Sequence, residues 1–327
     1  MAKIDIEYHN LLNTILFRGE GYEDPNRKGV TRIEIPHYSF YHSFEDGFPA
    51  LTTKKLAWKS VVGETLWILR GQTNIKHLLN DNINIWNKDA YNYYVKKCKD
   101  NCSYNLNFID FIDAIKTDKD TYILRSFHDG IISDYSMGGL GKVYGHQLRN
   151  FGGNFDQLNW IINEMKNNPL STKKDVTYIN PCDKDNQGLT PCHTGWSVIV
   201  KKDLSGFDLE FKMGSVDTFL GLPFNIASYG LLAKILEKIT GLKALGIRPI
   251  LNNVHIYEPH LDAVSEQLKR EVNKYWEPLS LEDFTGFRVD MHGDIDQWLS
   301  SKEISDFKIN GYESYPSIKA TMLPYSN

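Results

Sequence analysis

The segment Asp217-Thr-Phe-Leu-Gly-Leu-Pro-Phe-Asn-Ile-Ala-Ser-Tyr229 begins 25 residues after Cys192, which stands between Pro191 and His193. The cysteine could be a nucleophile, because a neighbouring imidazole and a polar loop can hold a thiolate. The later segment offers amide and carboxylate groups that could read a heterocycle. Together the two segments predict covalent chemistry on a small planar ring.

The composition around these segments is that of a globular protein. Hydrophobic residues make up 41% and charged residues 24% of the 327 residues, which is enough for a sizeable core in one large domain or two. The net charge of −4 gives no global basic field, so we expect no nucleic-acid partner. No apolar run approaches the ~18 residues of a membrane span, and the N-terminal sequence lacks the apolar region of a signal peptide. We therefore expect no membrane association and a reducing, cytoplasmic location.

The four cysteines favour reduced thiols over a metal site. Cys98 and Cys102 form a weak C-x-x-x-C pattern without a companion histidine pair, whereas structural zinc needs four closely spaced ligands. We therefore predict no metal site.

Hydrophobic periodicity predicts an irregular succession of helices and strands. Helices are predicted over 4–18, 57–69, 155–166, 225–240 and 259–273, and strands over 33–40, 195–202, 207–213 and 249–257. This order favours one α+β domain spanning residues 1–327 over a doubly wound parallel fold. Residues 87–137 are poor in hydrophobic side chains, and we predict an insertion with little regular core and a short helix around 107–116.

The position of Cys192 decides between two interpretations. A lone cysteine is most often a buried core residue. The Pro191-Cys192-His193 corner ahead of a predicted strand favours instead a thiol presented at the strand end. His193 need not be its base, because adjacent residues on a strand point to opposite faces.

Four other residue types have both a structural and a chemical interpretation. Glu64, inside the predicted helix 57–69, is a solvated or salt-bridged residue, or a proton shuttle if burial raises its pKa. Asn225 is a helix cap, or the amide that complements the N3–H and O4 edge of uracil. His255 and Tyr257 share a strand face and could reach one sugar hydroxyl or simply pack at a sheet surface. Tyr144 lies in a glycine-rich turn that matches no nucleotide fingerprint.

Four blocks of the sequence resemble the folate-dependent thymidylate synthases, and the resemblance extends from Tyr8 to about Met322. The blocks are Phe48-Pro-Ala-Leu-Thr-Thr-Lys-Lys-Leu-Ala-Trp-Lys59, Glu64-Thr-Leu-Trp-Ile-Leu-Arg-Gly-Gln-Thr-Asn-Ile75, Gly141-Lys-Val-Tyr-Gly145, and Pro191-Cys-His193 with Asp217 to Tyr229. The resemblance implies the thymidylate synthase fold, with a mixed β-sheet flanked by helices, and a homodimer that forms through the sheet.

The resemblance also implies a mechanism, in which the Cys192 thiolate adds to C6 of a uracil nucleotide. C5 then attacks the methylene carbon of the co-substrate 5,10-methylenetetrahydrofolate, which also supplies a hydride and leaves as dihydrofolate. Asn225 and Asp217 orient the pyrimidine, and Glu64 with Tyr144 handles protons. The remaining implied contacts are Arg27, His193, Ser215, Lys173, His255 and Tyr257 with the substrate, and Trp86, Lys54 and Asp217 with the folate.

The sequence departs from this family where the substrate phosphate is bound. The family uses four arginines, and only Arg27 matches one of them; Gly214, Thr172 and Lys173 stand in the other three positions. With Gly214 in place of an arginine, a cation near Cys192 is missing, so the thiolate form of Cys192 is less stabilised relative to the thiol. Our hypothesis is that the ligand's 5′ end is unphosphorylated, differently placed, or held by Lys173, Lys174 and Ser215.

Two rival functions follow from other departures. The C-terminal segment Ala320–Asn327 differs from the family's small apolar tail, and a looser lid over folate would admit water and give a hydroxymethylase. Asn225 favours uracil over cytosine in either case. A non-catalytic binder that kept the scaffold is the third possibility, and the presence of Cys192 and Glu64 argues against it.

Overall fold

The computed structural model describes residues 3–25, 27–98, 106–117, 123–128, 131–272, 278–282, 295–321 and 323, with the backbone alone for 123–128 and 131–134. Cys102, Met322 and residues 324–327, on which parts of the sequence predictions fall, lie outside the described residues. The chain divides into two compact units. The first unit comprises Met1–Val62, Ile161–Asp175 and Cys192–Asn327, and the second comprises Gly63–Trp160 and Val176–Pro191. The single domain with an insertion at 87–137 stays a prediction.

The helices and strands alternate without a regular βα repeat. The helices are α1 (Lys3–Arg18), α2 (Trp58–Leu69), α3 (Lys76–Asn80), α4 (Asn87–Cys98), α5 (Phe108–Lys116), α6 (Tyr144–Arg149), α7 (Gln157–Asn167), α8 (Leu222–Thr240), α9 (Leu261–Leu268) and α10 (Ile295–Ser300). The strands are β1 (Glu20–Glu23), β2 (Thr31–Ser39), β3 (His42–Ser43), β4 (Ile123–His128), β5 (Ile131–Ser136), β6 (Asp175–Thr177), β7 (His193–Val200), β8 (Phe207–Met213), β9 (Val216–Asp217), β10 (Ala244–Tyr257), β11 (Ser280–Leu281) and β12 (Ile309–Asn310).

A mixed sheet is built around the long strand β10. Its strand order is β1-β2-β10-β8-β7-β6, and β3 and β9 also pair with β10. Strand β10 runs antiparallel to β2 but parallel to β8 and β9. Helix α1 packs on β2, and α8 packs on β8 and β10. The predicted α+β class and the mixed sheet flanked by helices are therefore confirmed.

Most predicted elements are confirmed, and the differences have tertiary causes. Strand β10 begins at Ala244 rather than 249, because its first half pairs with β8. Helix α9 ends at Leu268 rather than 273. Just beyond that end, the Arg270 guanidinium donates to the carbonyls of Thr53 and Pro316, so the chain there is also held by distant segments.

The stretch 87–137 carries more regular structure than its composition suggests. The helix expected around 107–116 is confirmed as α5, and the Asn107 side chain caps it by accepting from the Asp110 amide. The expectation of little regular core is wrong, since α4 contributes buried Tyr93 and Tyr94 and α5 contributes buried Phe111. Aromatic side chains supply the buried area that aliphatic residues usually provide.

No helix in the described part of the chain is long and apolar enough to cross a membrane.

Candidate active site

Cys192 lies immediately before β7, in the first unit. Its side chain is partly buried, and its carbonyl accepts a hydrogen bond of 2.8 Å from the Gly214 amide at the end of β8. Cys192 therefore lies at the end of the paired strands β7 and β8, and its predicted position at a strand end is confirmed.

His193 connects Asn225 and Tyr229 in one hydrogen-bonded chain. Its Nε2 lies 3.2 Å from Asn225 Nδ2, and its Nδ1 lies 3.1 Å from the Tyr229 hydroxyl. Burial lowers the pKa of His193 to about 4, so the ring is neutral at pH 7. Asn225 lies in the first turn of α8, whose N-cap is Gly221, so its interpretation as a cap is wrong. Asn225 and Tyr229 are i and i+4 on α8, which brings both to the same imidazole.

The loop from β9 into α8 is shaped by Asp217. Its Oδ1 accepts from the amides of Phe219 (3.1 Å) and Leu220 (3.0 Å), and its Oδ2 makes no hydrogen bond within the described residues. Lys54 Nζ donates to the Phe219 carbonyl and lies 3.7 Å from the centre of the Phe219 ring. Burial lowers the pKa of Lys54 to about 7, although nearby Asp217 opposes that shift.

Lys54 is positioned by a carboxylate that the sequence analysis did not single out. Asp5, fully buried on α1, accepts from the backbone amides and hydroxyls of Thr52 and Thr53 at 2.6–3.1 Å. Asp5 lies three residues before buried Tyr8 on the same helix face, and this polar residue on an apolar face was the available signal. The Thr52-Thr53-Lys54 segment is therefore rigidly held.

His255 and Tyr257 share one face of β10, as predicted, and their rings meet edge to face at 4.8 Å. His255 Nδ1 lies 2.8 Å from the Asn253 carbonyl, which requires the proton to be on Nδ1. Burial lowers the pKa of His255, so its Nε2 is an unprotonated acceptor, and this buried atom has no hydrogen-bond partner within the described residues. A ligand hydroxyl would satisfy it.

Arg27 stacks on Tyr257, with the guanidinium carbon 4.8 Å from the ring centre. Its Nη1 lies 3.7 Å from the buried Asp24 carboxylate, and its Nε donates to the Leu323 carbonyl at 3.2 Å. Arg32 binds the same Asp24 at 2.8 Å and also Glu34 at 2.9 Å. These four ionic side chains, Asp24, Arg27, Arg32 and Glu34, are called the charge cluster here. Asp24, Arg32 and Glu34 were not predicted from the sequence, although Arg32 and Glu34 alternate on one strand.

The remaining candidate binding residues of the first unit lie near Gly214 and in the loop 168–174. The Asn253 side chain donates to the Gly214 carbonyl at 2.7 Å from a left-handed backbone (φ 48°). Ser215 is partly buried between β8 and β9, and the Lys173 side chain is exposed. Lys174 is buried, and its ammonium donates to the carbonyls of Pro169 (2.8 Å) and Ser171. Lys174 is therefore engaged by the backbone of its own loop, and its binding of the ligand stays a prediction.

The second unit brings together Glu64, Trp86 and Tyr144. Trp86 Nε1 donates to Glu64 Oε1 at 2.8 Å, and the Trp86 and Tyr144 rings lie 6.0 Å apart. Burial raises the pKa of Glu64 to about 7, against the smaller opposing effect of the Trp86 hydrogen bond. Of the two interpretations of Glu64, the structure favours the buried carboxyl that can exchange a proton near neutral pH.

The comparisons with known proteins identify the family of the chain. The family model described as thymidylate synthase matches residues 6–324. The chain is 36% identical to a thymidylate synthase of Mesoplasma florum (95% of this chain, 97% of the relative) and 36% identical to one of Phytoplasma mali (96% and 98%). It is 35% identical to a probable thymidylate synthase of Escherichia phage T5 (97% and 99%). The chain therefore belongs to the thymidylate synthase family.

Proposed function

We propose that this protein methylates C5 of a uracil 2′-deoxynucleotide, with 5,10-methylenetetrahydrofolate as one-carbon donor and reductant. The observation that carries the proposal is Cys192 at the end of β7, next to the His193–Asn225 pair, in a family whose curated relatives bear the name thymidylate synthase. On the basis of the same family, we also propose a homodimer formed through the sheet and a cytoplasmic location.

The residues of the first unit suit the covalent half of this reaction. Uracil C5 is a poor nucleophile until a soft nucleophile such as the Cys192 thiolate saturates C6. Asn225 would hold the N3–H and O4 edge of the ring, and His255 Nε2 would accept from the sugar hydroxyl, since a buried acceptor without a partner costs free energy. Neutral His193 is engaged by Asn225 and Tyr229, so its proposed role is to hold the base reader.

The proton and folate roles are proposed for other residues. Glu64, with a pKa of about 7, is the proposed proton carrier at neutral pH. Bound folate supplies a one-carbon group and a hydride. Asp217 fits it, because Oδ2 remains open to ring N–H donors while Oδ1 is used by the loop. Lys54 and Trp86 are the other proposed folate contacts.

A substrate without the usual 5′-phosphate is the second candidate, and the charge cluster favours it. Arg27 already faces a carboxylate that it shares with Arg32, and the two cations are balanced by Asp24 and Glu34. Lys174 is used inside its loop, and Gly214 carries no charge. Charge-assisted hydrogen bonds are worth ~1.5–3 kcal/mol each, so a full phosphate clamp would separate nucleotide from nucleoside by many orders of magnitude.

One assay tests both candidates. The enzyme is incubated with methylenetetrahydrofolate and either dUMP or deoxyuridine, and dihydrofolate absorbance and product mass are followed. We expect a methylated product, a kcat/KM for deoxyuridine within about a hundredfold of that for dUMP, and a loss of at least about a thousandfold in Cys192→Ser. A hydroxymethyl product with tetrahydrofolate, or turnover that survives Cys192→Ser, would contradict the first proposal. Normal turnover of dUMP with none of deoxyuridine would contradict the second alone.

A further inference from the structure

Asn253 gives strand β10 a left-handed backbone two residues before the buried His255. Its φ angle is 48°, a conformation that asparagine tolerates and that β-branched residues rarely adopt. The register of β10 against β2 places Asn253 opposite Pro36. Because proline has no N–H, β2 offers the Asn253 carbonyl no donor at this point of the ladder.

The left-handed backbone directs the Asn253 carbonyl to the imidazole of His255. In a regular strand the carbonyl groups point toward the neighbouring strands while the side chains stand perpendicular to the sheet, so a carbonyl does not reach the ring two residues later. Here the Asn253 oxygen lies 2.8 Å from His255 Nδ1. The Glu34 carboxylate lies 3.8 Å from the same nitrogen, which is beyond hydrogen-bond distance. The Asn253 carbonyl is therefore the group that engages Nδ1.

This hydrogen bond admits a single tautomer of His255, because a carbonyl oxygen only accepts. Burial lowers the pKa of His255, so the ring is neutral at pH 7, with its proton on Nδ1 and a lone pair on Nε2. The buried Nε2 has no hydrogen-bond partner within the described residues. A ligand group that meets Nε2 must therefore donate a hydrogen bond.

The side chain of Asn253 makes a second link, to the end of β8. Its Nδ2 donates to the Gly214 carbonyl at 2.7 Å, and the Gly214 amide donates to the Cys192 carbonyl at 2.8 Å. Asn253 thus connects the Gly214 segment with His255 through two hydrogen bonds, one from its side chain and one to its carbonyl.

We propose that Asn253 is a positioning residue whose left-handed backbone holds His255 as a hydrogen-bond acceptor, so that the site selects ligands that donate at that point. Asn253 itself touches no reacting atom and acts through the imidazole. The identity of the donor, a sugar hydroxyl, rests on the proposed function, whereas the tautomer of His255 does not.

Two substitutions of Asn253 separate the effect of the backbone from that of the side chain. Asn253→Val disfavours the left-handed conformation, and Asn253→Gly permits it without a side chain. Asn82→Val is the matched control, because Asn82 is also left-handed (φ 56°) and lies in the second unit. The first readout is the nitrogen-15 NMR spectrum of the histidine rings, with the His255 signals assigned by their loss in His255→Gln.

The second readout compares uracil 2′-deoxynucleotides and 2′-deoxynucleosides that carry either a 3′-hydroxyl or a 3′-fluoro group. A hydroxyl donates and accepts, so it fits either tautomer of His255, whereas fluorine only accepts and is rejected by an Nε2 that also accepts. The ratio of kcat/KM for the hydroxyl over the fluoro compound therefore reports the tautomer during turnover.

We expect a protonated Nδ1 in the wild type, Asn253→Gly and Asn82→Val, and a mixture of tautomers in Asn253→Val. The hydroxyl-to-fluoro ratio should fall by about tenfold in Asn253→Val alone. A protonated Nε2 in the wild type would overturn the inference without any variant, as would an unchanged tautomer in Asn253→Val. A mixture in Asn253→Gly as large as in Asn253→Val would overturn the role of the backbone conformation. Absence of turnover on every pyrimidine, with the tautomers as expected, would instead defeat the proposed function and leave the role of Asn253 standing.

Discussion

The two ends of the first unit's candidate site carry different kinds of polar interaction. At the end that reads the ring, His193, Asn225 and Tyr229 are neutral and joined by directional hydrogen bonds. At the end near Arg27, the charge cluster has two cations and two carboxylates that face each other. Neutral hydrogen bonds specify geometry, whereas a compensated ion cluster has little net attraction left for an external anion. On the proposed function, we therefore expect a site that is strict about the base and tolerant about the 5′ group.

Replacing Asp24, the carboxylate that Arg27 and Arg32 share, should have the largest effect on the charge cluster. Asp24→Asn leaves Arg27 and Arg32 close together without their common partner, which is buried and 2.8 Å from Arg32. We expect a loss of about 3–5 kcal/mol in the free energy of unfolding, measured by denaturant titration. The same variant should raise the preference for dUMP over deoxyuridine, because Arg27 would be released.

The control for that variant is Asp46→Asn, which removes the more exposed carboxylate bonded to Lys3 at 2.9 Å. An exposed pair contributes less than about 1 kcal/mol, so this change should be nearly silent. Equal, small losses in both variants would show that the charge cluster is not a tightly coupled unit.

The pH dependence of the free energy of unfolding should show that His193, at the ring-reading end, is neutral in the folded protein. Burial lowers the pKa of His193 to about 4 from 6.5, so between these values the unfolded chain binds a proton that the folded protein does not. Stability from this group is therefore complete above pH 6.5 and lost as the pH falls toward 4, by up to about 3 kcal/mol. His193→Gln should remove that part of the pH dependence between pH 6.5 and 4, measured by unfolding at several pH values. An identical pH slope in the variant would contradict a buried, neutral His193.

Placing a cation beside Cys192 should increase the preference for dUMP over deoxyuridine, with a smaller effect than the changes described above. A Cβ at Gly214 would lie 3.3 Å from Thr194 Cγ2, so the double variant Gly214→Arg with Thr194→Ser removes the crowding methyl group. We expect the dUMP-to-deoxyuridine ratio of kcat/KM to rise by about tenfold and to become dependent on salt. Thr194→Ser alone is the control, because it keeps the hydroxyl that donates to the Lys212 carbonyl. A ratio that stays constant would mean that the 5′ group does not approach Gly214.

The predictions that held were those carried by contiguous sequence. The helix 57–69 and the strand 207–213 were read from periodicity, because their apolar side chains repeat at the spacing of one buried face. The Pro191-Cys192-His193 corner likewise placed the thiol at a strand end. The predictions that failed concerned the start of β10, the end of α9, the core content of 87–137 and the cap role of Asn225. Strand pairing and packing decide such features, and they involve residues far apart in the chain.

The sequence by itself determined the family and predicted the candidate nucleophile and ring-reading segment, because each depends on neighbouring residues whose chemistry is local. Only the tertiary structure decided the protonation and charge of the site. Burial sets the pKa of Glu64 near 7 and that of His193 near 4, and strand pairing sets Arg32 and Glu34 beside Tyr257 and His255. The physical reason is that desolvation and Coulomb interactions depend on atoms far apart in the chain, which no local pattern records.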